Sequence, residues 1–162
     1  MRPFQHAGLS EIEALYRSRF RHFVRVARAI VGDEQLALEA VQDAFAGAVR
    51  SRRRYRGEGP LEAWLWRAVV NAAQKTRLRE ARSALPAEPE GRHNGRPAVA
   101  TEVTTAIALL PERQRLALFL RYYADLDYRG IADALGVEVG TVSATLSAAH
   151  SSVRRALEEV PR

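Results

Sequence analysis

Five polar residues recur within one short segment at a spacing that places them on one side of a helix. They follow at steps of four, four, four and three residues: Arg67, Asn71, Lys75, Arg79 and Arg82. Such steps keep side chains on one helical face. Cations so spaced suit contacts with nucleic-acid phosphates, and Asn71, beside Trp64 and Trp66, suits some contact with bases. A solvated amphipathic surface helix is the alternative.

A second segment, DYRGIADALGVEVGTVSATL, has the spacing of a helix-turn-helix. That motif needs a small residue where its helices touch, a Gly able to adopt positive φ in the turn, and an apolar anchor on the second helix. Ala132, Gly136 and Val142 meet these needs in that order. We expect four more residues to complete the shared core: Ile131, Leu135, Val139 and Leu146. An ordinary helical hairpin is the alternative.

The second helix of such a motif lies in the major groove with its N-terminal residues near base edges. Its outward positions hold Glu138, Thr141, Ser143, Ala144, Thr145, Ser147, Ala148, His150 and Ser151. The first cations come only at Arg154 and Arg155. Because guanine is usually read by Arg or Lys, DNA binding by this segment alone should be weak, although a helix N-terminus itself attracts phosphate. A solvated interaction surface that reads no base is the alternative.

No arrangement of residues predicts a catalytic or metal site. The chain has 4 histidines without metal-ligand spacing and no cysteine, which excludes thiolate chemistry. We find neither a Gly-rich phosphate loop nor a Ser/His/Asp arrangement. We therefore expect no enzyme activity, no metal and no cofactor.

Charge is distributed unevenly along the chain. The net charge of +6 indicates a polyanionic partner, nucleic acid before an anionic membrane. Residues 1–83 hold 16 Lys and Arg against 9 Asp and Glu, whereas residues 84–162 hold 9 against 10. The N-terminal half therefore carries the attraction for phosphate. There is no signal-like stretch and no apolar run long enough to span a membrane, so we expect a soluble, cytoplasmic protein without membrane insertion.

The elements that position these residues are all predicted to be helices. A first helix is expected from Ser10, as N-cap in a capping box with Glu13, to the stop signal Gly32. A second follows from Asp33 and ends in the basic run Arg50–Arg54. After a loop at 55–60, a third is expected to bury one side: Leu61, Trp64, Leu65, Ala68, Val69 and Ala72.

The C-terminal part is also predicted to be helical. We expect a short helix Glu102–Leu110, a helix with Pro111 in its first position, a helix Asp127–Leu135 with Asp127 as N-cap, and a last helix from Val139. Between these halves, SALPAEPEGRHNGRPAVA is rich in Pro and Gly, which favours an extended connector. A surface loop inside one domain is the alternative. The predicted fold is all-α: two small helical domains, 1–83 and 102–162, joined by a flexible linker, 84–101, with the helix-turn-helix in the second.

Three segments together resemble extracytoplasmic-function sigma factors of the sigma-70 family. YRGEGPLEAWLWRAVVNAAQKTRLR is similar to the segment that melts promoters and reads the −10 element. DEQLALEAVQDAF is similar to the helix that binds core polymerase, and LPERQRLALFLRYYADLDYRGIADALGVEVGTVSATL to the domain that reads the −35 element. The resemblance covers roughly 9–82 and 103–156, in the family's order.

The resemblance implies roles for individual residues. The loop captures a flipped base and the adjoining helix holds the opened −10 region, which implicates Tyr55, Arg56, Gly57, Glu58, Arg67, Asn71, Lys75 and Arg79. Contact with the −35 region implicates Arg121, Thr141, Ser143, Ala144, Thr145, Ser147, His150 and Arg154. Core polymerase binding implicates Glu39, Gln42, Asp43 and Phe45, of which Phe45 fits the hydrophobic core better. The linker is expected in the polymerase channel.

The sequence departs from the family's pattern at three places. Basic residues are common after the GTV of the motif, where this chain has Ser143, Thr145, Ser147 and His150. Gly130 stands where a Glu is usual and should cost about 1 kcal/mol of helix stability. Pro60 replaces a small residue and stiffens the loop beside it.

Three hypotheses follow. The first is a dissociable initiation subunit that binds core RNA polymerase and promoter DNA; the resemblance implies an anti-sigma protein as a further partner. The second is a stand-alone helix-turn-helix regulator that binds duplex DNA as a dimer. The third is an interaction module whose C-terminal domain binds a protein regulator instead of DNA.

Overall fold

The computed structural model describes residues 6–84 and 102–159, and every regular element in those ranges is a helix. They are α1 (Leu9–Val31), α2 (Glu34–Ser51), a 3₁₀ turn (Arg52–Arg54), α3 (Leu61–Ser83), α4 (Glu102–Ala108), α5 (Glu112–Tyr122), α6 (Tyr128–Leu135) and α7 (Val139–Glu158). The all-α prediction is confirmed. Of the predicted linker, only Ala84 lies within the described residues. None of the described helices is long and apolar enough to cross a membrane.

The ends of α1 and α2 follow from local chemistry, with one correction. Gly32 ends α1 with φ 80°, and the Asp33 carboxylate accepts a hydrogen bond from the Leu36 N–H at 2.9 Å to start α2. The predicted start of α1 at Ser10 is wrong. Its N-cap is Gly8, whose N–H donates to the Glu11 carboxylate at 3.0 Å. Glu11 thus makes the capping contact predicted for Glu13, two residues earlier in the chain.

α1, α2 and α3 form an N-terminal three-helix unit around stacked aromatic rings. The Phe23 ring lies 4.2 Å from the Trp66 ring and 5.1 Å from the Phe45 ring, between centroids. Trp66 is fully buried, so the expectation that it lies beside the polar stripe is wrong.

The buried side of α3 differs from the predicted one. It consists of Ala63, Leu65, Trp66, Val69, Val70, Ala73 and Thr76, whereas Leu61, Trp64, Ala68 and Ala72 are only half-buried. The reason is tertiary: α1 and α2 both pack on α3, and the Phe23 ring selects Trp66 rather than Trp64 as its partner.

α4 to α7 form a C-terminal four-helix unit that contains the predicted helix-turn-helix. The Asp127 carboxylate caps α6 by accepting the Gly130 N–H at 2.7 Å, and Gly136 ends α6 with φ 65°. Ile131, Ala132, Val142 and Leu146 are buried between α6 and α7. Two of the predicted core residues are not: Leu135 is half-buried, and Val139 is 46% exposed because it begins α7 among exposed neighbours. Pro111 is the N-cap of α5 rather than its first residue.

The two units pack against each other, which the sequence did not predict. α3 lies along α6, and α1 touches α5. Arg77 of α3 forms an ion pair with Glu112 at the start of α5. The Arg25 guanidinium of α1 stacks over the Tyr123 ring at 4.8 Å.

Candidate nucleic-acid and polymerase interfaces

The loop between the 3₁₀ turn and α3 is closed by its own first residue. The Tyr55 hydroxyl donates a hydrogen bond to the Gly59 carbonyl at 2.5 Å, and its ring lies 5.7 Å from that of Trp64. Burial raises the pKa of the Tyr55 hydroxyl, and the Glu11 carboxylate adds to the shift, so the phenol stays protonated and keeps donating. The half-buried Tyr55 closes the loop through this hydrogen bond, which we call the Tyr55 staple. Arg56, Gly57 (φ 68°) and Glu58 form the exposed tip of the loop.

The polar stripe of α3 is brought together as the spacing indicated. Arg67, Asn71, Lys75 and Arg79 are all exposed. The stripe begins at the loop, because Arg67 lines the same cleft as Arg56 and Glu58. Arg79 lies 3.7 Å from the Glu80 carboxylate, an exposed contact between chain neighbours that leaves its guanidinium accessible. Loop and stripe form one continuous polar surface.

The outward residues of α7 fall on two different grooves. Thr141, Ala144, Thr145 and Ala148 line one groove of about 570 Å³ together with Arg113 and Gln114 of α5. On the other flank, His150 and Arg154 line an apolar groove of about 560 Å³ with Tyr122 and Tyr123, and His150 Nε2 is 2.8 Å from the Tyr122 hydroxyl. Ser143 and Ser147 are exposed but line neither groove.

Arg121, which the resemblance assigned to the −35 contact, makes a hydrogen bond within its own unit. Its guanidinium donates to the Leu126 carbonyl at 3.2 Å, and the residue lines neither groove of α7. It ties the end of α5 to the turn before α6, which is a structural role.

The sequence analysis missed Arg113. This exposed residue makes no ion pair with the described residues 6–84 and 102–159, and it shares a groove with Thr141, Ala144 and Thr145. Its guanidinium supplies a cation beside the N-terminal half of α7, which has none of its own. No local pattern marks it, since α5 precedes the motif and only the packing of α5 against α7 brings them together.

The face of α2 that matches the polymerase-binding helix is mostly exposed. Glu39, Gln42 and Asp43 are exposed, and Glu39 accepts a hydrogen bond from Gln35 at 3.2 Å. Phe45 is only 6% exposed and packs against Tyr16 and Phe23. Phe45 therefore packs in the core, as the sequence interpretation favoured, and its contact with core polymerase stays a prediction.

A groove of about 710 Å³ runs beside this face. It is lined by Leu9, Ile12, Glu13, Tyr16, Gln42, Phe45, Ala46, Val49 and Arg50. Leu9 is 53% exposed there, so the groove offers apolar surface next to the polar side chains of α2.

In the described residues, no group of three His, Asp or Glu could hold a metal ion.

These features define a class: an all-helical protein with a basic polar surface on one unit and a helix-turn-helix on the other. Comparison with known protein families supports this description of two units. The Sigma-70 region 2 family matches residues 15–83, and the Sigma-70, region 4 family matches residues 100–151.

Relatives and a solved structure identify the group within that class. The chain is 30% identical over 151 residues to the RNA polymerase sigma-H factor of Pseudomonas aeruginosa, covering 82% of this chain and 78% of that protein. It is 31% identical over 152 residues to the ECF RNA polymerase sigma factor SigM of Mycobacterium tuberculosis, covering 90% and 76%. The sigma factor RpoE in complex with the anti-sigma factor NepR, from Bartonella quintana, has the same fold at 18% identity, with a TM-score of 0.69 over 94% of this chain and 100% of that one. The chain belongs to the sigma-70 family, in its extracytoplasmic-function group, and is an RNA polymerase sigma factor that directs promoter-specific initiation of transcription.

Proposed function

We propose that this sigma factor divides promoter recognition unequally between its two units. Residues 1–83 bind core polymerase and read and melt the −10 element, residues 84–101 connect the units through the polymerase channel, and residues 102–162 contact the −35 element. The chain has no catalytic role of its own, since the polymerase supplies the chemistry, and it works in the cytoplasm with that enzyme.

The observation that carries this proposal is the continuity of the loop with the α3 stripe. An unstacked base needs a shaped, rigid loop, and the backbone that follows it needs cations. The Tyr55 staple supports the first requirement. Arg67, Lys75 and Arg79, exposed along α3, support the second.

Contact with the −35 element is expected to be weaker. The groove beside α7 offers hydroxyls from Thr141 and Thr145 and one guanidinium, that of Arg113. Hydroxyl groups and a helix N-terminus position a phosphate backbone without specifying much sequence. We therefore assign Arg113, rather than Arg121, to the phosphate contact in this unit.

An anti-sigma protein is a further expected partner. One solved structure with the same fold is that of a sigma factor in complex with an anti-sigma factor. The two grooves that would suit an apolar partner segment lie beside α2 and between α5 and α7. We infer that a regulator of this chain covers one or both.

The test is run-off transcription from a native promoter with purified core polymerase. We expect transcription only when the chain is added, and weak binding of duplex DNA by the free protein. Tight duplex binding without transcription would support the stand-alone regulator, which the presence of both sigma regions does not favour.

The C-terminal role needs its own variants. Replacing Ser143, Thr145 and Ser147 by Ala tests base contact by α7, and Arg113→Ala tests the phosphate contact. We expect both variants to weaken a promoter with a −35 element more than one truncated upstream of −10. Unchanged use of the complete promoter by both would favour the interaction module instead.

A further inference from the structure

Four arginines line one small cleft beside the loop. The cleft has a volume of about 300 Å³, at the lower end of the range for small-molecule sites. The N-terminal unit contributes Arg54, Arg56 and Arg67, and α6 contributes Arg129. Within residues 6–84 and 102–159, none of these four guanidinium groups forms an ion pair. The cleft therefore offers all four of them to a ligand.

The charge of the lining matches that of a phosphate monoester. Glu58 and Asp133 lie in the same lining, so four arginines and two carboxylates leave a net charge of +2. A phosphate monoester carries about −1.5 to −2 at pH 7. The planar guanidinium group binds phosphate oxygens in pairs, which adds geometric specificity to the charge. An anion with one phosphate thus suits this cleft.

Trp64 adds a surface for an aromatic group. It lines the cleft, is half-buried, and its ring lies 5.7 Å from that of Tyr55. In the part of the chain that the structure describes, its indole N–H makes no hydrogen bond, whereas that of Trp66 donates to the Glu62 carboxylate at 3.4 Å. Nucleobases stack on Trp rings, and their ring nitrogens and carbonyl oxygens accept hydrogen bonds from such donors.

We propose that the cleft is a binding site for a free nucleoside 5′-monophosphate, with the base against Trp64 and the phosphate held by arginines of both units. The site differs from the loop surface proposed for a promoter base, because α6 supplies Arg129 and the loop does not. The inference therefore goes beyond the proposed function, and its test needs no promoter DNA.

The two tryptophans provide the readout. The chain has 2 Trp, so a nitrogen-15 correlation spectrum of the full-length free chain contains two indole signals, assigned with Trp64→Phe. Adenosine 5′-monophosphate should shift the Trp64 signal with half-saturation between about 10 µM and 1 mM. The signal of Trp66, which is fully buried, should stay in place. Inorganic phosphate and adenosine, each with one half of the ligand, should bind at least about tenfold more weakly.

Arg129→Ala tests the contribution of α6. It should weaken the binding of adenosine 5′-monophosphate about three- to tenfold, as expected for the loss of one charge-assisted contact. Arg155→Ala is the matched control, since it removes the same charge from an exposed site on α7 that does not line the cleft. It should bind the nucleotide as the wild type does.

Transcription separates the nucleotide site from promoter recognition. With a promoter truncated upstream of −10, Arg129→Ala should give as much run-off product as the wild type. A loss there would assign Arg129 to promoter recognition and overturn the separate site. Failure of the wild type in this assay would contradict the proposed function, and the spectra of the free chain would still decide whether the nucleotide binds.

The binding data have clear contrary outcomes. The proposal is overturned by a Trp64 signal that shows no saturation up to about 1 mM, or by equal shifts of the two indole signals. It is also overturned if Arg129→Ala binds as the wild type does, or if Arg155→Ala loses as much affinity. Equal binding of inorganic phosphate and adenosine 5′-monophosphate would show a site for simple anions and overturn the assignment to a nucleotide.

Discussion

The Tyr55 hydroxyl donates its hydrogen bond to the Gly59 carbonyl, so the residue that begins the loop also closes it. This single contact spans the exposed tip formed by Arg56, Gly57 and Glu58. Gly57 bends the tip with a positive φ of 68°, while Pro60, at φ −59°, fixes the entry into α3. The loop therefore owes its shape to one side-chain contact and two special backbone positions.

Tyr55→Phe should loosen the loop while keeping the ring against Trp64. The lost hydrogen bond is worth about 1 kcal/mol of folding free energy, and we expect a several-fold loss of open-complex formation, measured by permanganate reactivity. Tyr128→Phe, which removes a hydroxyl from a residue 42% exposed, is the control. Equal open-complex formation by both variants would contradict a role for the staple.

Trp66→Ala should unfold the N-terminal unit more easily. Truncating a fully buried Trp costs about 3–5 kcal/mol, and the Phe23 ring loses its partner at 4.2 Å. Chemical denaturation monitored by circular dichroism measures the change. Trp64→Ala is the matched control, and a larger loss there than in Trp66→Ala would show that the core is misassigned.

Lys75→Ala should lower the salt dependence of promoter binding by the holoenzyme. Each phosphate contact contributes about 0.7–0.9 to the magnitude of the slope of log K against log salt. Losing the one contact made by Lys75 should therefore reduce the magnitude of the slope by about that amount. Arg21→Ala removes an equal charge from an exposed site on α1. If the slope is identical for Lys75→Ala and the wild type, Lys75 does not contact a DNA phosphate.

Gln42→Arg should abolish binding to core polymerase without unfolding the chain. The residue is exposed on α2 and lines the groove with Leu9 and Val49, where a longer cation obstructs a docked partner. Co-elution with core polymerase measures binding. Ser18→Arg adds the same charge to an exposed site on α1 that does not line this groove and should bind normally; loss of binding in both variants would point to charge rather than to the site.

Gly130→Ala should not give the stability that helix propensity suggests. Propensity alone favours Ala by about 1 kcal/mol, but a Cβ here would lie 3.2 Å from Asp127 Oδ1, the atom that caps α6, and 3.4 Å from Leu126 Cβ. We expect the free energy of unfolding to stay level or fall in thermal denaturation. A gain near the full propensity value would show that the cap adapts freely.

Local sequence signals predicted where most helices begin and end, whereas tertiary contacts determined which of their residues are buried. Gly32, Asp33, Asp127 and Gly136 act through their own backbone or through neighbours within a few residues, and the structure places each at the predicted boundary. Val139 shows what periodicity lacks: it lies in step with Val142 and Leu146, yet it is 46% exposed where they are buried.

The candidate functional surfaces also differ in how far the sequence could predict them. The α3 stripe could be predicted because its members share one helix. Arg113 joins the groove beside α7 only through the packing of two helices. The contact between the two units includes the ion pair of Arg77 with Glu112, 35 residues apart in sequence, and no spacing rule encodes this pairing.

The short side chains on the outer face of α7 have a consequence for promoter evolution. Ala144, Ser147, Ala148 and Ser151 are exposed there, and none reaches far from the helix axis. A helix with such short side chains can approach the floor of a DNA groove closely. Its binding then depends on the width and flexibility of the groove as much as on base identity. If α7 contacts the −35 element as proposed, we expect upstream elements to keep their shape more strictly than their sequence, with conserved bases concentrated in the −10 element.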